Sequence, residues 1–355
     1  MRDLIQKLET EERISEEEAY KLYDLDLFTL AKYAHKKRTK LHGKKVYFNI
    51  NRHINPTNIC ADTCKFCAFS AHRKNPNPYL MSHEEIMQIV DETVGRGTKE
   101  VHIVSAHNKD TSWQWYLEIF KMIKAKYPNL HIKAMTAAEI DFLHRRFGMS
   151  YEEVIEKMLE YGVDSMPGGG AEIFDEEIRA KICKGKVSSE NWLKIHKLWH
   201  SKGKQSNATM LFGHIEERKH RIDHLLRLRK LQDETGGFNA LIPLVWQKDN
   251  SFLDIKEQLD SEEILKTIAI ARLVLDNVKN IKAYWATMGL NLAMVAQEFG
   301  ANDLDGTIEK ESIQSAGGAK SARGTKLETF IELIKTSNLI PVERDSLYNE
   351  IRIYE

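Results

Sequence analysis

Cysteine is nearly absent from this chain: four residues in 355, three of them between positions 60 and 67. A disulfide framework spreads its cysteines through a small secreted chain, so this distribution excludes one and points to a reducing, cytoplasmic setting. A surplus of either charge is also missing. Lys plus Arg number 52 against 52 Asp plus Glu, a formal net charge of zero, which excludes a whole-chain basic field that collects nucleic acid. No stretch approaches the roughly 20 apolar residues of a bilayer-crossing helix. The first residues, Met1-Arg2-Asp3-Leu4-Ile5-Gln6-Lys7, are charged and carry no apolar signal core. The expectation is a soluble cytoplasmic protein with no nucleic-acid or membrane partner. Low-complexity tracts, a solenoid period and a phosphate-binding glycine fingerprint are lacking too.

What is present is alternation. Residues 1–45 read as an N-terminal helical extension, with Ser15 and Glu18 in a capping-box pattern. The basic stretch from His35 to Lys45 reads as a solvated helix end. From Val46, short β-branched or apolar runs recur between amphipathic helices. Strands are expected near Val46–Ile50, Glu100–Ser105, His131–Thr136, Val163–Met166, Gln205–Phe212, Asn239–Val245 and Ile281–Ala286. Helices are expected over Ser82–Arg96, Ser150–Tyr161, Asn191–Lys202, Ile215–Gln232 and Lys326–Thr336, the basic stretch of the fourth, from Arg218 to Lys230, being solvated. Repeated strand–helix units imply a parallel sheet, and about seven of them in this length favour a full or nearly full (β/α) barrel of the TIM type. The expected division is 1–45 extension, 46–285 core barrel and 286–355 C-terminal cap completing the barrel. Cys183 reads as a small buried hydrophobe, and Trp113, Trp115 and Tyr116 as the packing face of a helix.

The chemistry sits in Asn58-Ile59-Cys60-Ala61-Asp62-Thr63-Cys64-Lys65-Phe66-Cys67. Thiolates at 60, 64 and 67 suit three corners of a [4Fe–4S] cluster, and the lack of a neighbouring fourth cysteine leaves one iron open. Structural zinc is the alternative, with His53 or His72 as the fourth ligand. In a (β/α) barrel, loops that follow the strands carry the chemistry, and this run follows the first strand.

A Cx3Cx2C run with an aromatic, Phe66, before its last cysteine resembles the radical S-adenosylmethionine superfamily. The flanking Arg52-His53-Ile54-Asn55-Pro56-Thr57-Asn58, the Ala68-Phe69 that follows, Met166-Pro167-Gly168-Gly169-Gly170-Ala171-Glu172-Ile173 and Phe299-Gly300-Ala301-Asn302-Asp303 are similar to its futalosine-pathway members in menaquinone biosynthesis. Within that pathway Asn55-Pro56-Thr57-Asn58 and Lys133-Ala134-Met135-Thr136-Ala137-Ala138-Glu139-Ile140 lean to the adenosylating branch rather than to the cyclase that abstracts hydrogen. The resemblance implies a [4Fe–4S] cluster on Cys60, Cys64 and Cys67, with S-adenosylmethionine consumed as co-substrate. It implies addition of the 5′-deoxyadenosyl radical to 3-[(1-carboxyvinyl)oxy]benzoate, giving 6-amino-6-deoxyfutalosine, bicarbonate and methionine. A small carboxylate-bearing substrate and a one-electron donor of flavodoxin or ferredoxin type are the implied partners. Cofactor contacts are expected from Phe66, from Ser105 (where many members carry a glycine pair), from Gly168, Gly169, Gly170 and Glu172, and from Leu211 and Gly213 beside the adenine. His214, Trp285 and Arg323 are the expected substrate contacts, Arg323 because a guanidinium recognises carboxylates bidentately.

Overall fold

The computed structural model describes residues 1–72 and 75–355. Ten strands run in the order β1 (Lys45–Asn49), β2 (Asn51–Ile54), β3 (Glu100–Ile103), β4 (His131–Ala134), β5 (Ser206–Phe212), β6 (Phe238–Val245), β7 (Asn280–Ile281), β8 (Asp303–Gly306), β9 (Ile340–Arg344) and β10 (Glu350–Ile353). β1 and β2 are two halves of one stave. β2 pairs in parallel with β3, and β3 with β4. Single parallel bridges, Lys133 to Ser165 and Met166 to Ser206, carry the ring to β5. β5, β6 and β7 follow in parallel, a Lys282–Asp303 bridge reaches β8, and β8 returns to β1. The ring of parallel strands therefore closes, and the fold is a (β/α) barrel.

The expected fourth strand, Val163–Met166, survives only as those bridges. The seventh ends at Ile281, and Trp285 opens a short helix, Trp285–Met288, instead of standing on a strand. The eighth, Asp-Leu-Asp-Gly, was not anticipated because it reads as a turn. Its acids are buried and paired: Arg344 donates to Asp303 at 2.5 Å, and Lys282 to Asp305. Below the ring, β9 runs parallel to β1 and β10 returns antiparallel, closing the lower end. Ser346 in the connecting turn donates to Glu100 at 2.5 Å and accepts from the Asn239 amide at 3.1 Å on its carbonyl.

The outer helices begin where local chemistry places them. Ser15 with Glu18, Ser82 with Glu85, Thr136 with Glu139 and Ser150 with Glu153 each form a reciprocal capping box. Helix Leu27–His42 packs on Ser261–Val274, and Arg13 bridges Asp233 and Asp276 at 2.8 Å, fastening the N-terminal segment to the barrel wall. Trp113 and Tyr116 are buried on helix Trp113–Lys126, and Cys183 is buried in the core. Two basic segments depart from the solvated expectation. Arg38 is buried and donates to the carbonyls of Ala301, Gly43 and Lys45. On helix Arg218–Thr235, Arg221 and Arg229 are buried against Glu216, Glu263 and the Ile14 carbonyl. A long arginine reaches unpaired carbonyls at helix and strand ends, so a basic run on an outer helix serves as internal mortar. No helix of the described residues is long and apolar enough to cross a membrane.

Candidate active site

The loop leaving β2 is anchored by its own polar residues before it reaches the cysteines. The Asn55 side chain donates to the Val104 carbonyl at 2.9 Å, and the Thr57 hydroxyl donates to the Tyr79 carbonyl at 2.7 Å. The Asn58 side chain accepts the Tyr79 N–H at 2.9 Å and donates to the Asn77 carbonyl at 3.0 Å. Each residue of Asn55-Pro56-Thr57-Asn58 with a polar side chain thus satisfies backbone groups that a loop would otherwise strand. Further on, the Ala61 N–H donates to the His107 carbonyl at 2.9 Å and the Lys65 N–H to the Ile182 carbonyl at 2.7 Å, while the Lys65 carbonyl accepts from Phe252 at 2.7 Å. Neighbouring loops of the barrel mouth therefore hold the loop on three sides.

Cys60, Cys64 and Cys67, each partly exposed, line one cavity of about 280 Å³, a scale suited to a small organic ligand. Burial pushes the Cys60 thiol up and the Cys64 thiol well up, with the Lys186 ammonium opposing the latter. Three soft sulfurs on one pinned loop fit a cluster held by three thiolates, whose binding would release their protons. The two histidines that zinc would call on are engaged elsewhere: His53 hydrogen-bonds His102 at 3.3 Å inside the barrel, and His72 packs edge-on against Phe252.

Of the expected cofactor contacts, Phe66, Ser105, Gly168, Gly169, Gly170, Glu172 and Leu211 line the same cavity. The glycines are required by packing. A methyl group at Gly168 would meet Ala208 and Asn207 backbone at 2.8 Å, and one at Gly169 would meet Thr136 at 2.7 Å. Gly170 adds a positive φ of 94°. Buried Arg179 donates to the carbonyls of Gly170, Ala171, Ile173 and Val187, which fixes the turn. Glu172 pairs with Lys186 at 2.8 Å, and Lys186 also lies over the Phe66 ring, 5.5 Å from its centre.

Gly213, His214, Trp285 and Arg323, also expected as contacts, are not among the residues lining this cavity. Gly213 turns the chain at φ 88° and donates its N–H to Glu216. The His214 ring is fully buried 3.0 Å from Glu216. Trp285 is buried with its indole N–H on the Gly306 carbonyl. The Arg323 side chain is exposed, and only its carbonyl is used, by Glu311.

Sequence reasoning missed four residues. Glu139, buried, accepts the Ser105 N–H at 2.9 Å and both the N–H and hydroxyl of Thr136 at 2.7 and 2.8 Å, tying the loops after β3 and β4 together. Its signal was the capping box with Thr136. Ser105 accordingly offers no free amide, and its hydroxyl shares a hydrogen bond with Tyr116 at 3.2 Å. Lys186 had no signal. His102 and Lys133, on the cavity floor, read only as strand residues.

Comparison with known proteins follows this geometry. Residues 54–228 match the radical SAM superfamily, and residues 235–355 match the CofH/MqnC C-terminal region. The chain is 40% identical to an aminodeoxyfutalosine synthase of Thermus thermophilus, over 99% of this chain and 96% of that protein. It is also 40% identical to a 5-amino-6-(D-ribitylamino)uracil–L-tyrosine 4-hydroxyphenyl transferase of Archaeoglobus fulgidus, over 88% of this chain and 90% of that one. Its fold is similar to the FeFe-hydrogenase maturase HydG of Carboxydothermus hydrogenoformans, with a TM-score of 0.77 at 16% identity over 98% of this chain and 80% of that chain. A closed barrel, three thiols at its mouth and these matches agree: the chain belongs to the radical SAM superfamily, among members that carry the CofH/MqnC C-terminal region.

Proposed function

We propose that the protein is an enzyme that joins the 5′-deoxyadenosyl group of S-adenosylmethionine to 3-[(1-carboxyvinyl)oxy]benzoate, as an aminofutalosine synthase of menaquinone biosynthesis. Rearrangement and loss of the carboxyl group as bicarbonate then give 6-amino-6-deoxyfutalosine, with methionine released. The observation that carries this reading is the end-to-end match to the Thermus synthase, 99% of this chain against 96% of that protein. Cys60, Cys64 and Cys67 would hold a [4Fe–4S] cluster, which would supply the electron that cleaves S-adenosylmethionine to methionine and the adenosyl radical. A one-electron donor of flavodoxin or ferredoxin type completes the requirement.

The chain's own residues supply placement and shielding. Asn55, Thr57 and Asn58 fix the thiol loop, and Glu139 and Arg179 fix the two loops that face it. The Gly168-Gly169-Gly170 turn lets backbone form the cavity wall without side-chain bulk. Reacting atoms must meet within about 3–3.5 Å, away from water and stray hydrogen donors, and a cavity inside a closed barrel supports a reading with those demands.

The equal identity to the Archaeoglobus transferase supports a second reading, coupling to tyrosine. Anaerobic turnover with reductant and S-adenosylmethionine separates the two. The synthase reading expects the mass of the adenosyl adduct from the vinyl ether and none from tyrosine plus 5-amino-6-(D-ribitylamino)uracil. Free 5′-deoxyadenosine as the main product, without adduct, overturns it.

A further inference from the structure

The substrate named above carries two carboxylates, yet among the described residues no arginine lines the cavity, and the Arg323 side chain is exposed. Among the described residues, the ammonium groups on its wall are those of Lys186 and Lys133. Lys186 lies at the mouth, between Glu172 and Phe66. Lys133 lies on the floor, and strand register gives it two companions. His53 stands opposite His102 across β2 and β3, and His102 stands opposite Lys133 across β3 and β4. Because alternate residues of a strand face the same way, these side chains form one row, on neighbouring strands about 4.8 Å apart, and all three line the cavity.

We propose that His53, His102 and Lys133 form an anion seat on the barrel floor that takes the aromatic carboxylate of the substrate. The proposal rests on the synthase reading for the identity of that carboxylate. The seat's own chemistry comes from the row. His102 Nδ1 and His53 Nε2 lie 3.3 Å apart, and His102 Nε2 is buried with no hydrogen-bond partner among the described residues. An anion selects the tautomer in which His53 Nε2–H donates to His102 Nδ1, which leaves a proton on His102 Nε2 free to donate. Burial lowers both imidazoles, so they serve as neutral donors.

Lys133 provides the charge. It donates to Glu100 at 2.6 Å, and Glu100 lies one register level lower, opposite Asn51 and His131. Burial works against both charges: it lowers Lys133 below its ordinary value despite Glu100, while Glu100, which burial alone would raise, is held well below its own value by the Lys133 ammonium. Glu100 also accepts from Ser346 beneath it. Both members of the pair line the cavity, where an anion meets the ammonium beside a carboxylate already engaged by Lys133 and Ser346. Ammonium carries three donors, and Glu100 uses one. The two other acids that line the lower cavity do not compete. Asp305 is engaged by Lys282, and the Glu311 carboxylate accepts the N–H groups of Gln314 and Ser315 at 2.8 and 2.7 Å. The aromatic carboxylate fits the floor because the other one sits on the vinyl group, which must meet the adenosyl carbon near the thiols.

The test compares the substrate with its ring amide, 3-[(1-carboxyvinyl)oxy]benzamide, on reconstituted holoenzyme with S-adenosylmethionine. Calorimetry gives binding, and mass spectrometry gives the adduct. Lys133→Met is made together with Glu100→Gln, so that no buried carboxylate is orphaned, and His102→Gln is the milder second variant. The wild type should bind the acid about ten- to a hundredfold more tightly than the amide, the range for hydrogen bonds to a charged group. Both variants should lose most of that preference by weakening the acid while the amide stays within about threefold. Variants that keep the preference, or a wild type that has none, overturn the seat. Selective binding without adduct overturns the synthase reading and leaves the seat standing.

Discussion

The mouth and the floor of this barrel are built by opposite means. At the mouth, one loop carries its chemistry within a dozen residues, and its polar side chains hold nearby backbone groups of residues 77–79 and 104. On the floor, the two partners of each pair come from different segments of the chain: Lys133 with Glu100, Lys282 with Asp305, Arg344 with Asp303. The mouth is local in sequence and partly open, whereas the floor is distributed and dry. A site that must bind a metal cluster and exchange small molecules suits the first design. A base that must not shift suits the second, because breaking one partner of a buried pair strands the other.

Substitutions can separate the two. Cys60→Ala, Cys64→Ala or Cys67→Ala should have the largest effect on chemistry: iron and sulfide content after anaerobic reconstitution falls sharply and adduct formation falls to background. The apo-protein's unfolding midpoint should stay within a few degrees of wild type, since the loop's anchors lie outside the cysteines. A collapse of the apo fold would show that the mouth is structural too. Arg344→Leu should do the reverse, lowering unfolding free energy in denaturant titration by about 3–5 kcal/mol through the orphaned Asp303, with the thiols unchanged in reactivity. Little loss of stability would mean that the hairpin is an ornament.

Between mouth and floor, His224 tests the layer behind the wall. Its Nε2–H donates to the Thr209 carbonyl at 2.9 Å, and burial pushes its pKa down to about 3. The unfolded chain takes up that proton near pH 6.5, so the folded state is favoured fully above that value and loses stability as pH falls toward about 3. By pH 5 the loss from this group is about 2 kcal/mol, and His224→Gln should flatten that part of the pH–stability curve. The smallest effect belongs to Arg323→Ala, expected to leave adduct formation within about twofold of wild type because the side chain is exposed and outside the cavity. A tenfold loss would return Arg323 to the substrate wall.

What the sequence discloses follows the same division. Cys60, Cys64, Cys67 and the capping residues Ser82 and Ser150 declare themselves because each acts over three or four residues. The strands with β-branched or apolar runs are legible for the same reason. β8 is not, because Asp303 and Asp305 look like turn residues until Arg344 and Lys282 arrive from other parts of the chain. His102 and Lys133 hide in ordinary strands, since only register across three strands places them side by side. Arg323 and His214 stand in a glycine-rich loop and at a strand end, common places for ligands, but exposure of the first and burial of the second against Glu216 are not contained in a spacing rule.

The pairing of β1 has a temporal consequence. Its partners are β8 on one side and β9 on the other, Tyr47 standing opposite both Asp303 and Val342. During synthesis at about 5–20 residues per second, the lower half of the first strand waits for nearly the entire chain to emerge before either edge is covered. An uncovered strand edge is a template for pairing with other chains. The newborn protein is therefore most prone to aggregation in the interval before its C-terminal hairpin leaves the ribosome, and truncations there should be rescued by chaperones rather than by iron or S-adenosylmethionine.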